Sequence, residues 1–235
     1  YNNTDAYVNL PPSLNTQGGA QYTYTFWLKL GKTGVGADRV LFLRGDTAVR
    51  TFKKVDGEAT VSHPVTMGPM VRVRVEEDRK TTIFVHFNSL AEYNNVATFE
   101  IANGSVFDFT NQFHLVTIAL HEGGSYGEVN GTTCKIYVDQ TMEQRTFAGE
   151  TLKENVGKLY VLPAFDKGLG TDAYPKTRTG VDLYMKGLTY HNYAFNMEDV
   201  HMLMSRQMNL KNVPYTPETN KPVAARMNTL MDVIS

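Results

Sequence analysis

The chain has 235 residues, a net charge of −1 and a hydrophobic content of 42%, with a pI near 6.7. That length suits one large β domain or two small ones, and the balanced charge gives no electrostatic footprint for nucleic acid or an anionic membrane. A single cysteine excludes an internal disulfide, and no run of about 18 apolar residues offers a spanning helix.

The chain begins at Tyr1 rather than Met. This is expected if a signal, an anchor, a further domain or disordered residues stood upstream. Residues 6 to 10, AYVNL, predict a short strand stopped by Pro11 and Pro12. Residues 21 to 30 alternate strictly. Tyr22, Tyr24, Phe26, Leu28 and Leu30 share one face, and Thr23, Thr25, Trp27 and Lys29 share the other. Residues 39 to 43, RVLFL, predict the next strand and run into Arg44-Gly45-Asp46. Such a triplet can present a cation and a carboxylate to an integrin, but a structural turn accounts for it more simply.

Residues 47 to 70 are irregular and predict a long connection with one or two weak strands. From 71 to 76, Val71, Val73 and Val75 point inward, and Arg72, Arg74 and Glu76 point out. The two arginines read as a solvated strand face, because Glu76, Glu77 and Asp78 cancel their charge. Strands follow at 81 to 87, 96 to 101 and 106 to 110, the last two joined by the hairpin dipeptide Asn103-Gly104. Residues 71 to 120 are thus expected to form one antiparallel meander.

The central stretch is 113 to 140. In its first strand Phe113, Leu115, Thr117 and Ala119 face one way, and Val116, Ile118 and Leu120 face the other. A strand apolar on both faces belongs in a sheet covered on both sides. In its second strand Cys134, Ile136 and Val138 point in, and Lys135, Tyr137 and Asp139 point out. Cys134 reads as a buried thiol. Residues 141 to 157 predict a loop with a strand near Gln144 to Phe147, 158 to 162 another strand, and 163 to 180 a long loop. The last strand spans 181 to 193 with a bulge near Gly187. Asn196 and Asp199 make a capping box for a short helix, with Met197, Val200, Leu203 and Met204 on its apolar side.

Three of these segments resemble the laminin-G-like, concanavalin-A-like jelly rolls: 21 to 30, 113 to 140, and the ending Tyr193-Ala194-Phe195-Asn196-Met197-Glu198-Asp199-Val200. Phe113 stands where that family usually has Trp, and Gln140 where it usually has the turn Gly. The resemblance covers roughly 6 to 207. It implies an all-β, two-sheet antiparallel jelly-roll sandwich over residues 1 to 210, with one short C-terminal helix. Residues 211 to 235 then form an extended C-terminal arm.

The fold also hosts glucan hydrolases, which need two carboxylates about 5–5.5 Å apart in retaining enzymes. Their E-x-D-x-E strand motif is absent, and the nearest imitation is Asp139 to Glu143, with Thr141 at its centre. The histidines are scattered, no G-x-S-x-G turn exists, and no metal-ligand spacing appears. The expectation is therefore no catalytic residues, no cofactor and no resident metal. Relatives that bind calcium through loop aspartates leave Asp46 or Asp172 as weak candidates.

Two readings stay open. Similar stand-alone domains occur in virion proteins of large DNA viruses, which implies a structural or assembly module, such as a minor capsid component. Its partner contacts would come from Val223, Met227, Leu230, Met231 and Ile234 of the arm, one apolar side of a short helix. The alternative is a lectin-like carbohydrate-binding module, extracellular or on a cell or virion surface. Its ligand contacts would be Tyr93, Asn95, Tyr126 and Tyr174 in predicted loops, with Asn94 beside them. The sequons at Asn2, Asn103 and Asn130 matter only in a secretory lumen.

Overall fold

In a computed structural model, the described residues are 7–8, 10, 13, 19–31, 37–46, 49–53, 60–64, 66–76, 80–92, 94–102, 109, 112–123, 131–153, 157–163 and 183–211. The elements in chain order are β1 (Tyr7–Val8), β2 (Gln21–Leu30), β3 (Ala37–Gly45), β4 (Val49–Lys53), β5 (Thr60–Pro64), β6 (Met67–Val75), β7 (Thr81–Phe87) and β8 (Asn95–Ile101). They continue with β9 (His114–Gly123), β10 (Gly131–Val138), β11 (Thr141–Ala148), β12 (Lys158–Val161), β13 (Leu183–His191) and α1 (Met197–Lys211).

The strands build an all-β jelly-roll sandwich of two antiparallel sheets. One has the order β1-β12-β3-β6-β7-β8, the other β11-β10-β9-β2-β13, and β4 and β5 pair apart. The period-2 alternation of the sequence decides which face is buried. Tyr22, Tyr24, Phe26 and Leu28 of β2 meet Val116, Ile118 and Leu120 of β9, and Cys134, Ile136 and Val138 of β10. Opposite them stand Phe42, Val71, Val73, Ile83, Val85, Ala97 and Phe99 of the six-stranded sheet. Phe42 packs edge-on to Phe26, with ring centroids 5.6 Å apart. Burial pushes the Cys134 thiol pKa far up, so it stays protonated and inert.

Several expectations shift. The meander covers only β6, β7 and β8; β9 crosses to the other sheet, because both of its faces are apolar and only a central position covers both. Phe109 sits in a turn, and its carbonyl accepts the Leu30 N–H at 2.7 Å; the rest of the expected strand and its Asn103-Gly104 turn lie outside the described residues. The irregular 47 to 70 segment supplies the β4–β5 hairpin and the start of β6. The strand expected near Gln144 to Phe147 is β11, longer than expected at both ends: it follows a two-residue hairpin turn and pairs with β10 from Val138↔Thr141 to Gly131↔Ala148. Asp139 takes the positive φ of that turn, 51°, so Gln140 needs no glycine in its place. At Gly131 a Cβ would run into the Phe147 carbonyl.

Two arginines also move. Arg72 is 4% exposed, so it is no solvated face. Its Nε donates to His86 Nε2 at 2.9 Å, its guanidinium lies 3.7 Å from the Phe84 ring centroid, and His86 Nδ1 meets Asn94 Oδ1 at 2.9 Å. Arg44 is 2% exposed and stands 5.1 Å from the Tyr190 ring centroid, inside the sandwich. The Arg-Gly-Asp triplet therefore cannot be offered to a partner as a unit. Burial raises the pKa of the Tyr24 hydroxyl beside Arg44, which offsets only part of the effect, so the phenol stays neutral.

The outer face of the five-stranded sheet is covered at one end by α1. The capping box forms as expected: Asp199 N–H donates to Asn196 Oδ1 at 3.0 Å, and Asn196 N–H to Asp199 Oδ2 at 2.9 Å. Leu203 and Met204 pack on Trp27, Phe113 and Leu115. Met197 and Val200 pack on Tyr137 and Phe195. The Trp27 Nε1–H donates to Gln207 Oε1 at 3.0 Å, tying sheet to helix. Phe113 carries the Lys186 ammonium 3.8 Å from its ring centroid. Among the described residues no helix is long and apolar enough to cross a membrane.

Candidate functional site

Four cross-strand rows run over the outer face of the five-stranded sheet. The first is Thr146, Thr133, His121 and Gln21, and the second Gln144, Lys135, Ala119, Thr23 and His191. The third is Met142, Tyr137, Thr117, Thr25 and Thr189, and the fourth holds Leu115, Trp27 and Lys186. The last two rows lie toward α1, and the first two are polar. Between them and the start of the helix lies a groove of about 160 Å³, lined by Gln21, Ala119, His121, Thr133, Lys135, Ala194, Phe195 and Asn196.

Ala119 is a small buried side chain between the longer Lys135 and Thr23 of its row, which leaves room above it. One wall is the segment from Tyr193 to Asn196. It is pinned through Thr23, whose hydroxyl donates to the Tyr193 carbonyl and accepts the Phe195 N–H, both at 2.8 Å. The Gln21 carbonyl accepts the Ala194 N–H at 3.3 Å. Aromatic rings stiffen the same wall: Phe195 lies 4.3 Å from His191 and 5.2 Å from Tyr193 by ring centroids. Tyr193 is 40% exposed, and burial, then the charge of Asp199, raises its pKa. Burial pushes the His191 pKa down to about 4, against an opposing pull from Asp199, so the imidazole is neutral near pH 7.

Every lining side chain with a polar tip can hydrogen-bond a sugar-sized, hydroxyl-rich ligand, and none is a nucleophile activated by a base. His114 and Asp139 do form a tight pair, Nδ1 to Oδ2 at 2.7 Å, but the same carboxylate holds the Leu115 N–H at 2.9 Å. The pair fixes the β10–β11 turn against β9. Glu100 and Glu143 approach each other across the seam between β8 and β11; both are exposed, Glu100 pairs with Lys80, and neither lines the groove. Among the described residues no group of three or more His, Cys, Asp or Glu could hold a metal ion. Asp46 is exposed at the end of β3, and Asp172 lies outside the described residues.

The residues expected to touch a ligand fall elsewhere. Tyr93, Tyr126 and Tyr174 lie outside the described residues, as do Val223, Met227, Leu230, Met231 and Ile234. Asn95 is not in a loop. It is the first residue of β8, 7% exposed, on the six-stranded sheet. The groove residues come from three strands and a helix start, and no contiguous motif joins them. The available signals are Lys135, which the sequence places on the outward face of β10, and His121, which stands among the scattered histidines at the end of β9.

No family model and no curated protein matches the chain. Among solved structures, the one described as HCR/D-Sa-GBL1/C is similar with a TM-score of 0.50 and 8% identity, over 80% of this chain and 36% of that one. A botulinum neurotoxin serotype D/C binding domain is similar with a TM-score of 0.49 and 9% identity, over 80% and 36%. A CBM40 of a Ruminococcus gnavus IT-sialidase, bound to α2,3-sialyllactose, gives a TM-score of 0.39 and 11% identity, over 85% and 96%. This chain thus spans about a third of the length of the first two. Likeness at such identities concerns the β-sandwich fold and goes no further.

Proposed function

We propose that the chain is a lectin-like carbohydrate-binding module whose ligand lies in the groove beside α1, and that it is not an enzyme. The observation that carries this reading is the groove itself. Amide, hydroxyl, imidazole and ammonium groups line one small groove, and the exposed ring of Tyr193 packs on Phe195 of its wall. Sugars present hydroxyls for such groups and C–H faces for such rings. The volume of about 160 Å³ lies below the roughly 300–1,000 Å³ of drug-sized pockets, which suits one ring of a chain lying across the surface. The walls are held by backbone hydrogen bonds and packed rings, so little ordering is required on binding.

A glycan array on the full chain, beside the Thr133→Trp variant, tests this. Trp at a half-buried strand position keeps β propensity and fills the groove. Selective binding by the parent and its loss in the variant is the expected result. Equal binding by both moves the site elsewhere, to Tyr93, Tyr126 and Tyr174 as the next set. No binding by either defeats the reading.

The second reading is a laminin-G-like assembly module, such as a minor virion component, with residues 211 to 235 as a clasping arm. The spacing of Val223, Met227, Leu230, Met231 and Ile234 favours it, since that apolar side needs a partner surface. Purification of the native protein with its assembly intact tests it. A stoichiometric protein partner lost on truncation after Leu210 is expected, and an unchanged free monomer excludes it.

A further inference from the structure

Lys135 puts a cation in the groove, and no carboxylate of the lining stands against it. Lys135 brings three donors and no acceptor, and it makes no ion pair among the described residues. The Asn196 carbonyl is committed to the Asp199 N–H at 3.0 Å, which fixes the amide orientation and leaves Nδ2 as the other polar end. The Gln21 carbonyl is likewise committed to Ala194. No Asp or Glu lines the groove. Of the two carboxylates in the first turn of the adjoining helix, Glu198 and Asp199, Asp199 is held on the Asn196 N–H at 2.9 Å, and neither lines the groove.

A neutral sugar hydroxyl can turn a lone pair to Lys135, but that bond leaves the cation's charge unmatched. A carboxylate or sulfate oxygen only accepts, and its hydrogen bonds to an ammonium are about twice as strong as neutral ones. We infer that the groove takes an acidic sugar, a single ring whose carboxylate or sulfate ester sits on Lys135 while the amides and Thr133 receive its hydroxyls. This rests on the glycan-binding reading above and narrows it to a ligand class. One ammonium and a small volume suit one anionic unit rather than a polysulfated run.

The test titrates the full chain with lactose, sialyllactose and sulfolactose, a matched series differing in the anion, by calorimetry at low and high salt. At least one anionic member is expected to bind about tenfold or more tightly than lactose, with the advantage shrinking as salt rises. Which anion wins identifies the oxyanion. Lys135→Gln should erase the advantage, Lys135→Arg should keep most of it, and Lys153→Gln, an exposed lysine outside the groove, should leave it untouched. Circular dichroism of each variant reads folding separately. If lactose binds as tightly as both anions and Thr133→Trp abolishes binding, the acidic-sugar inference is overturned while the glycan reading stands. If none of the three binds at millimolar concentration, the acidic-sugar inference falls, and the glycan array alone decides the reading it rests on.

Discussion

The two halves of the outer face of the five-stranded sheet are built on the same strands and differ only in what the alternate positions carry. Toward α1, Trp27, Leu115 and Tyr137 have no exposed surface to speak of, because the helix lays Val200, Leu203 and Met204 over them. One or two rows away, Gln21, His121, Thr133 and Lys135 stay half-exposed beside the groove. The strand geometry is common to both halves. The difference is that apolar side chains gain by excluding water, whereas polar ones lose unless something satisfies them. One end of the face therefore acquires a helix, and the other keeps a depression bounded by that helix's first turn.

The comparison breaks most sharply at Trp27. Trp27→Ala removes the largest buried side chain under α1 and its bond to Gln207, and should cost about 3–5 kcal/mol in urea denaturation. Next comes pH. The His191 pKa falls from about 6.5 to about 4 on folding, so below pH 6.5 the unfolded chain takes up a proton that the folded chain refuses. Stability from this group is complete above that pH and is lost as pH falls toward about 4, by roughly 2–3 kcal/mol. His191→Phe should flatten that slope while leaving the behaviour above pH 7 nearly unchanged; an identical slope in the variant would remove His191 from the account.

Smaller effects lie at the boundary between the halves. Asn196→Ala deletes the cap shared by helix and groove wall and should cost about 1 kcal/mol, read through the emission of Trp27, the chain's one tryptophan. Thr117 is fully buried in the third row, and its hydroxyl has no hydrogen-bond partner among the described residues. Thr117→Val keeps the shape and removes the unmet donor, so a gain of about 1 kcal/mol is expected. A loss instead would mean that a water bridges this hydroxyl.

Much of this architecture was legible in the residues, for reasons that also mark where legibility stopped. The alternation in 21 to 30 and the Asn196–Asp199 pair are local signals, and both elements begin where those signals place them. The bulge expected near Gly187 falls between Lys186 and Thr189. By contrast β11 is exposed along nearly its whole length, so no buried face writes a period into its sequence, and only its second half, near Gln144 to Phe147, reads as strand. Arg72 and Arg44 sit at positions whose parity was read correctly or not at all, but burial of a cation depends on neighbours far along the chain, such as His86 and Tyr190. The groove escaped notice for the same reason: Gln21, His121 and Lys135 become neighbours only through pairing register.

β11 has one further consequence. It is the outermost member of its sheet, and its exposed side chains include Glu143, Gln144 and Arg145, with Arg145 reaching across the seam to the Val96 carbonyl at 2.8 Å. A second molecule adding its own margin here would have to strip water from opposite charges and dislodge that tether. Crowded copies of the chain should therefore stay discrete along this rim rather than polymerise into a continuous ribbon.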